Sequence, residues 1–186
     1  LPGFNRSRFI MRYLIALPLK DADSKDFIKL RDQYKDLAPK WKITLGPHIT
    51  LFRPSEYLAD KDQAIEIFKK APKFKAFNAM FKGFEAFLNH SNNAVYSQPT
   101  SYDEFQKIKQ VYEPTAGQIL QDTTEIWPFH PHLTLVNRLD TTSAKKLLTN
   151  LEPLNFSAEY FFDRICLYKK LAEDRTWVEI ASNMLS

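Results

Sequence analysis

Cysteine, glycine and histidine are all scarce in this chain of 186 residues, and each scarcity excludes a class of function. The one cysteine, Cys166, cannot close an internal disulfide, so nothing points to an oxidising compartment. It lies in the apolar run Arg164-Ile165-Cys166-Leu167-Tyr168, which marks it as a buried, inert thiol. The four glycines, Gly3, Gly46, Gly83 and Gly117, stand far apart, which excludes a glycine-rich phosphate loop. No apolar run reaches the length of a membrane span. Arg6, Arg8 and Arg12 precede the run from Tyr13 to Leu19, but Lys20-Asp21 follow it where a signal sequence would carry a cleavage site. The run reads as a first strand. The first methionine is Met11, and residues 1–11 are set aside as a tag or N-terminal extension.

Neither sign of charge dominates. Lys and Arg number 26 against 22 Asp and Glu, a net +4 that favours phosphate-bearing partners only mildly. The lysines fall in scattered pairs (Lys69-Lys70, Lys145-Lys146, Lys169-Lys170), as on solvated faces and not along a nucleic-acid track. Apolar residues make up 44%, enough for a folded protein with a sizeable core.

The histidines are informative because there are only four. Two of them open the same pattern, His48-Ile49-Thr50-Leu51 and His132-Leu133-Thr134-Leu135, each directly behind a proline, Pro47 or Pro131. With 11 Thr and 21 Leu in the chain, chance places Thr and Leu behind two of four histidines about three times in ten thousand.

Around this pair the order of elements repeats. A strand over Arg12 to Leu19 precedes a helix with Phe27, Leu30, Tyr34 and Leu37 on one face, then a strand over Ile43 to Phe52 carries the first motif. Asp60 with Gln63 signals a helix start, and Phe74 to Leu88 reads as one long or two short strands. The polar stretch Asn89 to Asn93 is a loop, after which the sequence of elements starts again. Ala94 to Gln98 is a strand, Ser101 with Glu104 starts a helix, His132 to Arg138 carries the second motif, and Asp140-Thr141-Thr142 starts another helix. Phe156 to Tyr168 and Thr176 to Ala181 close the fold as strands. The expected class is α+β, a bilobal pseudo-twofold duplication. Its repeat halves, about 12–88 and 94–182, interleave within a single domain over 12–186.

Alternation along a strand points His48 and Thr50 to one face, Ile49 and Leu51 to the other, and likewise in the second motif. If the halves are twofold related, two His/Thr pairs meet across a cleft. Two imidazoles suit proton transfer at both ends of one displacement, and the hydroxyls can donate to two non-bridging phosphate oxygens. Two histidines without a third ligand at a characteristic spacing fall short of a metal site. The same alternation places Phe52 beside His48, as a base-stacking ring or a core aromatic, and Arg138 beside His132, as a phosphate ligand or a strand-end surface charge. Trp127 and Phe129 are candidates to line the cleft; His90 and His130 read as exposed or structural.

At these residues the chain resembles the 2H phosphoesterase superfamily, which includes 2′-5′ RNA ligase-like proteins and RNA 2′,3′-cyclic phosphodiesterases. The family pattern is a pair of H-x-[ST]-apolar motifs about 80 residues apart, and the opening Met11-Arg12-Tyr13-Leu14-Ile15-Ala16-Leu17 is similar too. The resemblance implies antiparallel sheets lining a V-shaped groove with helices outside. It also implies metal-independent, cofactor-free hydrolysis of 2′,3′-cyclic phosphates on RNA ends or small nucleotides. His48 and His132 would be the catalytic acid/base pair, and Thr50 and Thr134 would hold the phosphate. Alternatives are a 2′-5′ phosphodiesterase acting on oligoadenylates and a non-catalytic nucleotide- or RNA-binding module. A cytoplasmic monomer is expected. One departure stands out: ligase-like members often carry Arg five positions after the second His, where this chain has Asn137, with Arg138 next and Arg53 at the equivalent place in the first motif.

Overall fold

The computed structural model describes residues 12–56, 59–89, 92–124, 128–170 and 176–185. Trp127 and His90 lie outside them. In chain order the described elements are β1 (Arg12–Pro18), α1 (Asp21–Tyr34), β2 (His48–Glu56), α2 (Lys61–Lys69), β3 (Phe77–Phe87) and β4 (Asn93–Pro99). They continue with α3 (Asp103–Ile119), β5 (Leu133–Leu139), α4 (Thr141–Leu151), β6 (Ser157–Phe162), β7 (Arg164–Lys170) and β8 (Val178–Met184).

Local chemistry explains most of the boundaries. The Asp60 carboxylate accepts from the Gln63 backbone N–H at 2.9 Å and Asp140 accepts from that of Ser143 at 2.8 Å, so both helices after the motif strands start on a side-chain cap. Pro47 lacks a donor, and the first motif strand therefore begins at His48 and not at Ile43. The stretch from Phe156 to Tyr168 holds two strands, β6 and β7, broken at Asp163.

All strand pairs are antiparallel, and the eight form one curled half-barrel sheet in the order β6-β3-β4-β5-β2-β1-β7-β8. The fold is α+β, as expected. Each motif strand heads one half of the sheet, β2-β1-β7-β8 or β5-β4-β3-β6, and the halves join through one residue pair, Ile49 opposite Leu133. The chain interleaves them: β3 leaves the first repeat to pair with β4, and β7 returns to pair with β1. The helices also cross over, α1 packing under β5 and α3 under β2.

Ile49, Leu51, Leu133 and Leu135 all face this helical side and are at most 1% exposed. Burial of each such side chain contributes ~1.5–3 kcal/mol, which fixes strand register and with it the faces of the intervening His and Thr. Asn93, fully buried at the start of β4, accepts from the Asn89 N–H at 2.6 Å and donates to the Leu139 carbonyl at 2.9 Å, tying β4 to the end of β5. Asn93→Leu strands both backbone groups. Urea unfolding should show a loss of about 2–3 kcal/mol, and an unchanged midpoint would refute this role.

Candidate active site

In both copies the motif histidine is anchored the same way. His48 Nδ1 lies 2.7 Å from the Gly46 carbonyl, and His132 Nδ1 lies 2.7 Å from the His130 carbonyl. A carbonyl only accepts, so each Nδ1 carries the proton, and the tautomer leaves Nε2 as the reactive nitrogen. The accepting carbonyl is in each case the one bonded to the motif proline, whose ring holds the preceding residue extended. This gives the two prolines of the sequence pattern a physical role.

Antiparallel register about the Ile49–Leu133 pair sets His48 across from Thr134 and Thr50 across from His132. All four side chains are half-buried on the face opposite the helices. Structure thus brings together the residues expected to act as a unit. Burial lowers the pKa of His48, offset by its bond to Gly46 and reinforced by the Arg31 guanidinium. Burial also pushes His132 down to about 4, offset by the His130 carbonyl and reinforced by the charges of His130 and His48. Both imidazoles are therefore neutral in the free protein at neutral pH. Arg31, on α1, is 7% exposed and itself lowered by burial, with no hydrogen-bond partner for its Nε among the described residues.

The depressed values carry a sign for stability. In the unfolded chain a histidine takes its proton near about 6.5; in the fold His132 resists until about 4. Between these limits the unfolded state holds more protons, so stability rises with pH and is lost as pH falls through the window. With part of each ring in solvent, the expected loss for His132 is ~1–2 kcal/mol. The urea midpoint should drop between pH 6.5 and 4.5 and drop less in His132→Gln; equal slopes would contradict the assignment.

Two residues are not placed by simple alternation. On β2, Ala16 pairs with Thr50 but its neighbour Ile15 pairs with Phe52, so Leu51 is an extra residue in a β-bulge. The bulge reverses the alternation. Phe52 turns to the helical side, where it is 2% exposed in the core with the Lys109 ammonium 4.1 Å from its ring centre. It is a core aromatic and not a stacking platform in the cleft. The second motif repeats the irregularity: Tyr96 pairs with Thr134 and Val95 with Val136, leaving Leu135 as the extra residue. Arg138 lies beyond it in a left-handed conformation, φ 62°, with its Nη1 3.4 Å from the Lys40 carbonyl. A second irregularity follows, Val95 pairing with Val136 but Asn93 with Leu139, so alternation from His132 does not by itself fix the face of Arg138. Asn137 and Arg53 take the motif-facing register. Arg53 is drawn aside, donating to the Thr124 carbonyl at 2.8 Å and pairing with Asp122 at 3.5 Å.

Other functional candidates were not visible in sequence. His130 is not an isolated surface ring but packs edge-on to Phe87, Tyr96 and Tyr102, with ring centres 5.2–5.3 Å apart. Phe87 and Tyr96 stack at 4.1 Å and both touch the His132 ring. On the other half of the sheet the same face is closed by an apolar cluster of Leu14, Ala16, Cys166 and Tyr168 beneath Leu45 and Trp177. Cys166 is buried there with its pKa pushed up to about 12, which makes it inert as a nucleophile.

Sequence comparison matches residues 19–174 to the 2′-5′ RNA ligase superfamily, most of the chain and both motifs. The chain belongs to this superfamily of 2H phosphoesterases. Comparison with solved structures agrees on the fold. Escherichia coli LigT complexed with 3′-AMP superposes with a TM-score of 0.69 at 16% identity, covering 95% of this chain and 99% of LigT. A structure described as a phosphoesterase gives 0.68 at 18% identity, with 95% and 99% coverage. LigT complexed with NADP+ gives 0.61 at 17% identity, with 95% and 98% coverage. A search of curated protein sequences returns no significant match. Membership in the superfamily supports an enzyme with phosphodiesterase or ligase-like chemistry. Among the described residues no helix is long and apolar enough to cross a membrane, and no three His, Cys, Asp or Glu side chains group as metal ligands.

Proposed function

We propose that the protein is a 2′,3′-cyclic phosphodiesterase that hydrolyses the cyclic phosphate of an RNA end or nucleotide by paired-histidine acid/base catalysis, without a metal. The observation that carries this reading is the duplicated anchor: two Nδ1–carbonyl bonds of 2.7 Å that free two Nε2 atoms, each across the strand pair from a threonine hydroxyl. The Thr50 and Thr134 hydroxyls donate to the two non-bridging oxygens. One Nε2 takes a proton from water as its oxygen attacks phosphorus. The other, protonated, gives its proton to the ribose oxygen as the phosphorus–oxygen bond breaks, and a phosphomonoester is released. Returning one proton to the acid from solvent and one from the base to solvent resets the site.

The depressed histidines fit this cycle. A bound phosphodiester anion beside both Nε2 atoms favours the imidazolium form, so substrate itself raises the pKa of the acid back toward neutrality. LigT has been crystallised with 3′-AMP, with ATP, with phosphate and with NADP+, consistent with a nucleotide phosphate in the same groove here.

A product-resolved assay in EDTA separates the substrate classes. Cyclic nucleotides and a cyclic-phosphate-ended RNA should open to a single monoester isomer. Preferential cleavage of 2′-5′-linked oligoadenylate would replace this substrate with the linear one. Tight nucleotide binding without turnover of any phosphodiester would make the protein a binding module.

A further inference from the structure

The two halves of the motif face differ, and the difference bears on which base is read. Three strands side by side put Thr134, Tyr96 and Glu85 in one row, each directly opposite the next. At about 4.8 Å per strand, Glu85 stands roughly 10 Å from Thr134, the span from a nucleotide's phosphate to the far edge of its base. A bulge creates this placement. Lys82 pairs with Gln98, yet Glu85 pairs with Tyr96, one residue late, and Gly83 between them has φ 63°, a left-handed value that favours glycine. Without the bulge Phe84 would face the groove; with it Phe84 packs on the core and a carboxylate faces out.

That carboxylate is held in place. Gln98 Nε2 donates to its Oε1, the Tyr96 hydroxyl donates to its Oε2 at 3.4 Å, and the Tyr102 hydroxyl holds the Gln98 amide by donating to Oε1 of Gln98. Burial, and after it the charge of Glu85, raises Tyr96 to about 12, so its hydroxyl remains a donor. A carboxylate accepts about four hydrogen bonds; two are used, and the residue is exposed. Fixed negative charge in a groove for a phosphate anion works against binding unless it meets donors on the substrate.

We propose that Glu85 is a specificity residue that selects a base presenting two adjacent donors, which among the four bases is guanine, through its N1–H and 2-amino group. This rests on the phosphodiesterase reading above for the position of the phosphate. Adenine and cytosine place a ring acceptor beside their amino group, and uracil flanks its N3–H with two carbonyls; each turns a lone pair toward the carboxylate. The half-exposed rings of Phe87, His130 and Tyr102 supply the flanking aromatic surface, in the way single-stranded bases are stacked and then read on their pairing edge. On the other half of the face Glu179 stands opposite Tyr168, but it is ion-paired with Arg164 at 3.6 Å, and Leu45 and Trp177 pack on the apolar cluster there.

The test measures kcat/KM for the 2′,3′-cyclic phosphates of guanosine, adenosine, cytidine and uridine on wild type and Glu85→Gln, and the Kd of 3′-GMP and 3′-AMP for both proteins. Wild type should favour the guanosine substrate by about tenfold or more, and Glu85→Gln should lose that preference while changing the other three by less than about threefold. Equal kcat/KM for all four bases in wild type, or a loss in Glu85→Gln shared by all four, overturns the proposal; the shared loss is what a purely structural carboxylate would give. If no cyclic phosphate is turned over, the phosphodiesterase reading fails separately and the Kd values decide. Tighter 3′-GMP, with the difference lost in Glu85→Gln, sustains the role of Glu85, and equal Kd values overturn it.

Discussion

Alanine at His48 or at His132 should lower kcat on a 2′,3′-cyclic nucleotide by about 10²–10⁴-fold, with KM changed far less. In the proposed mechanism each histidine moves a proton only as bonds at phosphorus form and break, so its loss falls on the transition state and not on substrate binding. The two losses should not add. Once one end of the displacement lacks its proton carrier, the other has little left to contribute, and the double variant should fall within about tenfold of the worse single one. Neither substitution should unfold the protein, because each ring is half-buried and its one described hydrogen bond is to a backbone carbonyl two residues away. Removing a ring whose charged form burial disfavours should even relieve the acid sensitivity. Full activity in either variant would remove the paired-histidine mechanism.

The second large effect concerns the hydroxyls. Thr50→Val and Thr134→Val keep the β-branched shape that suits β2 and β5 but delete the donors that the proposed mechanism assigns to the non-bridging oxygens. Loss of one such donor costs about 10²–10³-fold in kcat. Inorganic phosphate, as a competitive inhibitor, should also bind more weakly to each variant. The pseudo-twofold arrangement makes a further demand: the two variants should resemble each other, since Thr50 lies across from His132 and Thr134 across from His48 in equivalent positions. A Thr→Ser change that behaves like Thr→Val would show that the methyl group, and not the hydroxyl, matters.

The motif itself was legible because the strands run regularly through it. From His48 to Leu51 and from His132 to Leu135 burial alternates as the sequence predicts, half-buried for His and Thr and buried for the apolar partners. Legibility stops at the next residue. Leu51 and Leu135 carry no compositional mark of a bulge, yet each inserts one residue and reverses the side chain that follows, which sent Phe52 into the core; a second irregularity in each strand, before Ser55 and before Leu139, shifts the register again. The bulge carbonyl of Leu51 accepts from Lys109 of α3 at 2.9 Å, a bond between residues 58 apart in sequence that local patterning does not reveal. The bulge in β3 does have a local sign, an isolated glycine within a strand at Gly83, but its consequence for Glu85 depends on the partner register. In the same way the break at Asp163 is a local event, while its effect, sending β6 and β7 to opposite halves of the sheet, is a matter of topology. Periodicity identified the helices and most strands; long-range register decided which side chains share the groove.

The central claim is that one histidine acts as acid and the other as base on a single phosphodiester, and replacement of the leaving oxygen by sulfur tests it most directly. A thiolate leaves without a proton, so a 2′,3′-cyclic nucleotide with sulfur at the departing bridge no longer needs the acid. On this substrate one of His48→Ala and His132→Ala should regain most of its lost rate, by about 10²-fold or more, while the other, lacking the base, stays impaired. Equal recovery of both variants, or recovery of neither, would contradict the division of labour assigned here to the two motifs.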